Sequence, residues 1–146
     1  MRLSTKVRYG ARILLQIALD TREISAVKGK DIARKQNISE AYLEQIMIPL
    51  KSKGLIKTVR GCNGGYALKK EAEAITVLDI IELFEGRVEL VKCAEGSKMC
   101  KRKSLCVTAE VWESLSNAIR NEASKITLKE LADKAAAKTA GMEYVI

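Results

Sequence analysis

Cys93, Cys100 and Cys106 fall within fourteen residues of a chain that contains no histidine. Thiolates are soft donors that suit iron-sulfur clusters and zinc, and three in one short stretch can converge on a metal without help from distant parts of a fold. Their spacing, Cys-x6-Cys-x5-Cys, lacks the close Cys-x2-Cys pair usual in structural zinc sites. An iron-sulfur cluster is therefore the first reading and zinc the second. Bare thiols that respond to oxidants or nitric oxide, and inert thiols, are the remaining ones. Lys98, Lys101, Arg102 and Lys103 lie among the cysteines, and neighbouring cations lower a thiol's pKa. The absence of histidine also removes Ser-His and Cys-His pairs and zinc-protease motifs, and no glycine fingerprint for cradling phosphates is present. An enzyme is not expected.

A second set of residues suits contact with nucleic acid. The net charge of +8 is uneven: residues 1–70 carry 15 Lys+Arg against 5 Asp+Glu, and residues 71–146 carry 11 against 13. The whole excess sits in the front half, where duplex DNA is the natural partner, because each neutralised phosphate releases counterions. Within that half, Ser39 reads as a helix N-cap, with Glu40 well placed against the helix dipole. The residues after it, Ala41, Tyr42, Glu44 and Gln45, stand where a recognition helix presents its first turns to base edges. Glutamine can pair bidentately with adenine, and glutamate can accept from cytosine N4. A carboxylate facing no donor penalises binding, so Glu44 can act as a rejecter of wrong sequences. Arg60 precedes a turn with Gly61, Gly64 and Gly65, which let a backbone approach closely, and is well placed to reach a minor groove. The plainer reading of these residues is a tight hairpin with a solvated arginine. Cys62, alone in the same turn, reads as a turn residue whose oxidation would disturb a DNA contact.

The elements that must position these groups are mostly helical. Six aromatics in 146 residues leave a core built from Leu, Ile, Val and Ala, which favours helices over a sandwich. Val7, Ala11, Leu14, Leu15, Ala18 and Leu19 recur at helical spacing over about Thr5 to Leu19. A short helix fits Gly29 to Lys35, and after a turn Leu43, Ile46, Met47 and Leu50 form one helical face with Ala41, Gln45, Ile48 and Ser52 opposite. Pro49 predicts a kink or an early end, and Gly54 a stop. Leu55 to Val59 and Tyr66 to Leu68 read as a hairpin. Thr76 and Asp79 form a capping box for a helix through Phe84, closed by Gly86. The stretch from Lys92 to Cys106 reads as a loop. From Val107 a helix of about twenty residues, about 30 Å long, carries a stripe of Val111, Leu115, Ala118, Ile119 and Ile126. Thr127 and Glu130 then cap a final short helix, with a polar and then apolar tail from Lys138. The fold class is mainly α: a winged helix-turn-helix with a β-hairpin wing, followed by a long helix.

MRLSTKVRYG at the start, ISEAYLEQI, GLIKTVRG leading into NGGYAL, and the three-cysteine stretch followed by Trp112 together resemble the IscR branch of the Rrf family of bacterial winged-helix regulators. The resemblance runs from Met1 to about Leu131. It implies a homodimer joined by a long helix near residues 107–125, and an iron-sulfur cluster, 2Fe-2S or alternatively 4Fe-4S, on Cys93, Cys100 and Cys106. By position it implies that Tyr42, Glu44 and Gln45 contact DNA from the recognition helix and Arg60 from the wing. Two departures stand out. Ala109 occupies the place of a ligating histidine, and Arg8 that of an N-terminal aspartate from the partner subunit. The fourth ligand is unassigned, with Glu110, Glu113, Ser104, an exogenous thiolate or water as candidates.

These readings divide the chain into a DNA-binding domain (1–86), a cysteine loop that senses (87–106), and the dimerisation and C-terminal helices (107–146). Ser39, Tyr42, Glu44, Gln45, Arg60 and Gly64 are the expected DNA-binding residues. The expected function is a cytoplasmic regulator, with no membrane segment, that binds a pseudo-palindromic duplex operator under the control of its cluster. The alternatives are a cluster-free repressor of cysteine or sulfur metabolism governed by a protein partner or thiol oxidation, and a zinc-binding interaction module.

Overall fold

A computed structural model of the chain describes residues 2–92 and 105–143. Cys93, Cys100, Ser104 and the body of the expected cysteine loop lie outside the described residues. The first helix, α1 (Thr5–Asp20), begins where Ser4 Oγ accepts from the Val7 amide at 3.4 Å. Its buried face is wider than the expected stripe, because Ile13 and Ile17 are fully enclosed along with Leu14. An apolar surface of that breadth makes α1 the central helix, in contact with the next three α-helices and with the last helix of the chain. Phe84 crosses α1 at Gly10, where a Cβ would stand 2.5 Å from the ring.

The helix α2 (Gly29–Gln36) ends at Asn37, whose φ of 54° is left-handed, a conformation that asparagine tolerates and that turns the chain sharply. Ser39 then caps α3 (Glu40–Ser52), accepting from the Tyr42 amide at 3.1 Å. Leu43, Ile46, Met47 and Leu50 are all but completely buried, each worth about 1.5–3 kcal/mol of removed apolar surface. Pro49 does not end α3 early, since the helix runs on to Ser52. The proline lacks one amide in the last turn, and the helix closes beyond it: Gly54, at φ 74°, donates to Lys51 O, and Leu55 donates to Leu50 O. That paired ending satisfies the terminal carbonyls.

The strands β1 (Ile56–Val59) and β2 (Gly65–Leu68) pair antiparallel, with Ile56 opposite Leu68 and Val59 opposite Gly65. Val27, in the loop before α2, exchanges both backbone hydrogen bonds with Tyr66, at 2.9 and 2.8 Å. This bridge ties the wing to the helix-turn-helix.

After the wing, Thr76 and Asp79 form the expected capping box of α4 (Val77–Glu85), closed by Gly86. The long helix α5 (Val107–Lys125) packs on α4, with Arg120 Nε 3.4 Å from Glu82 Oε1. Its inward residues are small: Ala109, Ser116 and Ala123. The expected stripe divides: Ile119 packs against the core and Ile126 is half-buried, whereas Val111, Leu115 and Ala118 are exposed. The last helix, α6 (Leu128–Glu143), starts at reciprocal bonds between Thr127 and Glu130. It is longer than the short helix expected, because the Ala-rich run through Ala140 favours helix and leaves no tail at Lys138. Leu128 and Ala132 are buried in the core that α1 organises, and Arg22 joins Asp133 at 2.7 Å. Among the described residues no helix is long and apolar enough to cross a membrane.

Candidate nucleic-acid interface

The burial of one face of α3 dictates what its other face offers. Ala41, Glu44, Gln45 and Ile48 are exposed while the four core residues are sealed. Gln45 and Glu44 therefore hold a donor-acceptor amide and a carboxylate outward within the first two turns, the part of such a helix that meets base edges. Ile48, 63% exposed, adds an apolar side chain to the same face, suited to a thymine methyl group. Tyr42 is partly buried, its ring edge-on to Tyr9 at 5.7 Å, and Tyr9 in turn lies under the Arg12 guanidinium at 5.1 Å. The Ser39 hydroxyl is engaged in capping, which holds the start of α3 in register for the residues after it.

On the wing, Arg60 is exposed and has no ion-pair partner among the described residues. Its turn depends on glycine. Gly61 sits at φ 111°, and a Cβ on Gly64 would lie 2.4 Å from Val59 O, so the backbone closes on itself there and the Gly64 amide bonds Gly61 O at 3.0 Å. Gly64 thus shapes the turn that presents Arg60. Cys62 is exposed in the same turn.

One contact had no signal in the spacing of the sequence. The Tyr66 hydroxyl donates to Glu44 Oε1 at 2.9 Å, joining β2 to α3 across 22 positions. Burial, followed by the hydrogen bond and the charge of Glu44, pushes the Tyr66 hydroxyl above its ordinary value of 10.0. It stays a donor throughout the neutral range. Tyr66 is one of only four tyrosines, and its place directly after the paired glycines was the only hint that it faces the helix.

Cys106 stands at the start of α5, partly exposed. Its sulfur lies 3.2 Å from Thr108 Oγ1. That hydroxyl, followed by the Ala109 amide at the start of the helix, holds the thiol below its ordinary 9.0. Favouring the thiolate fits the donor chemistry of a cluster or metal ligand. Ala109 is buried, Glu110 and Glu113 are exposed on α5, and Arg8 is exposed on α1. Among the described residues no three potential metal ligands gather. Ser116, buried on the inner face of α5, accepts from the Leu90 amide at 3.0 Å and donates to Trp112 O at 2.7 Å. It thereby fastens the segment that leads to Cys93 onto the helix that follows Cys106, a role that a lone serine does not advertise.

The Rrf2 family model, described as an iron-dependent transcriptional regulator, matches residues 3–134. The chain is 39% identical over 132 residues to the transcriptional regulator CymR of Bacillus subtilis, covering 90% of each. The structure of that CymR, described as the global cysteine regulator, superposes with a TM-score of 0.76 over 92% of this chain and 98% of that one, at 36% identity. The regulator IscR of Photorhabdus laumondii is 38% identical over 131 residues, 90% of this chain and 79% of IscR. The structure of T. potens IscR gives a TM-score of 0.74 over 92% and 88%, at 35% identity. Likeness to regulators of the two names is thus equal.

Proposed function

Because the chain belongs to the Rrf2 family of transcriptional regulators, we propose that it binds a specific duplex operator as a homodimer and that an iron-sulfur cluster on Cys93, Cys100 and Cys106 modulates that binding. The exposed face of α3 carries the DNA-binding part. Glu44, Gln45 and Ile48 project from a helix whose opposite side is locked in the core, and Ser39, the Tyr42 ring and Gly64 keep that helix and the wing in place. Arg60 meets the phosphates or the minor groove beside it. The basic front half supplies the attraction that is independent of sequence.

The homodimer reading is supported by α5. Val107, Val111, Trp112 and Leu115 are exposed along it, from 38% to 75%, an apolar surface that a second copy would cover. Two recognition helices held by such a dimer would protect a pseudo-palindrome over about two helical turns. Footprinting that finds a single asymmetric contact would count against the dimer.

For the sensor, Cys106 supplies one thiolate-favouring sulfur, and Cys93 and Cys100 would supply the others. A cluster there would bring one-electron redox chemistry. The chain's own part is mechanical. Ser116 fastens the upstream segment to α5, Arg120 and Glu82 join α5 to α4, and α4 packs on α1 and α3. A change in how the cysteine segment sits at α5 therefore has a packed route toward the recognition helices.

The test is an ultraviolet-visible spectrum of protein purified without oxygen, with iron and sulfide counted against a Cys93→Ala control. Charge-transfer bands with iron and sulfide, lost in the control, are expected. A second reading, a cluster-free repressor of cysteine or sulfur metabolism under thiol or partner control, is favoured by Ala109 and Arg8, which offer no fourth ligand. Colourless, metal-free protein would support that reading, and zinc without sulfide would support a structural zinc site.

A further inference from the structure

We propose that the Tyr66 hydroxyl determines operator specificity by position: it fixes the Glu44 carboxylate on the flank of α3, so that the wing sets where the acidic reader of the recognition helix points. This rests on the DNA-binding reading above and deepens it.

The two partners are unequal in freedom. Tyr66 is anchored along its backbone, opposite Thr58 in the hairpin and doubly bonded to Val27. Its ring passes over the start of α2, so close to Gly29 that a Cβ there would stand 3.4 Å from the ring edge. Glu44 is an exposed glutamate on a helix surface, a side chain with three soft torsions that would otherwise sample many rotamers. A single hydrogen bond from the rigid group to the mobile one, at 2.9 Å, therefore selects where the carboxylate sits. Bonds to a charged acceptor are the stronger kind.

Fixing the carboxylate changes what it can discriminate. An ionised carboxylate has about four acceptor positions on its two oxygens, so Oε1 can hold Tyr66 while Oε2 still accepts from a base. Cytosine N4 offers a donor in the major groove, whereas guanine O6 and N7 and thymine O4 offer only acceptors. A carboxylate held in place rewards the first and is repelled by the others. A free one swings into solvent at a mismatched site and escapes the repulsion, so the wrong sequence is less penalised. Tyr66 need not touch DNA to act in this way.

The experiment is selection from a pool of duplexes with a randomised core, sequenced for the wild-type chain, Tyr66→Phe, Glu44→Ala and the double variant. Phenylalanine keeps the ring and its packing on Gly29. We expect Tyr66→Phe to lose about tenfold in base preference at the few positions that Glu44 reads, the scale of one charge-assisted hydrogen bond, with the other positions unchanged. In the Glu44→Ala background the same substitution should do nothing. Unaltered preference in Tyr66→Phe overturns the proposal. So does a uniform loss of affinity over all sequences, or an equal effect with and without Glu44, since either marks a merely structural tyrosine. A wild-type pool that enriches no sequence overturns the DNA-binding reading itself.

Discussion

Replacing Ser116 with alanine removes a hydroxyl that holds two separated parts of the chain together. Its Oγ donates to Trp112 O and accepts from the Leu90 amide. Trp112 O lies four residues before Ser116 within α5 and keeps its helical partner, so losing the first bond costs little. The Leu90 amide is different, because the bond to Ser116 Oγ closes 26 positions of chain and alanine leaves that part-buried donor unpaired. An orphaned donor costs about 1–3 kcal/mol, and alanine's better helix propensity returns up to about 0.5 kcal/mol. The expected net loss is about 0.5–2.5 kcal/mol, or about 2–8 °C in Tm for a chain of this size. Urea titration should show a lower midpoint with an unchanged slope, and hydrogen exchange followed by NMR should show the Leu90 amide losing protection. A stability change below about 0.5 kcal/mol, with Leu90 protected as before, would show that Ser116 does not hold Leu90 in place. If the cysteine segment holds a cluster, the variant should also release it faster, since Leu90 lies shortly before Cys93 and its bond to Ser116 holds it on the helix that Cys106 heads.

Two other outcomes are expected. Arg60→Ala should weaken binding to all duplexes alike and reduce the slope of log K against log salt by about one; titrations in a salt series that show a loss confined to one sequence would contradict a phosphate role. Thr108→Val should raise the Cys106 thiol toward its ordinary 9.0, because the hydroxyl beside the sulfur is the main cause of its depression. Wild-type Cys106 should accordingly be alkylated at lower pH than the variant's, as its thiolate persists there. Identical pH profiles in site-resolved mass spectrometry would remove Thr108 from that role.

Much of the fold was legible because its signals are short-range. The caps at Ser39, Thr76 and Thr127 each act over three residues, and the buried face of α3 follows from spacing alone. The glycine turn and its flanking strands identify the wing, with boundaries displaced by one residue. Of the two outcomes expected at Pro49, the early end does not occur. Pro49 forfeits one bond near the end of α3, and the burial of Leu43, Ile46, Met47 and Leu50 together with the Gly54 ending holds the helix regardless. The long helix misled in another way, since periodicity marks an apolar stripe without saying what it faces. On α5 Ala109, Ser116 and Ala123 go inward and Ile119 packs against the core, while Val111 and Leu115 stay out.

Sequence alone carried the family, the mainly helical winged class, the excess of positive charge in residues 1–70 and the three thiols. That Tyr66 holds Glu44, that Ser116 holds Leu90 and that α6 returns to complete the core around α1 emerges from packing. The reason is physical: propensity, capping and amphipathic spacing act within a few residues and are written locally. Which polar groups meet across 22 or 26 positions is settled by how the elements pack, and a buried donor then takes whichever acceptor that packing brings within reach.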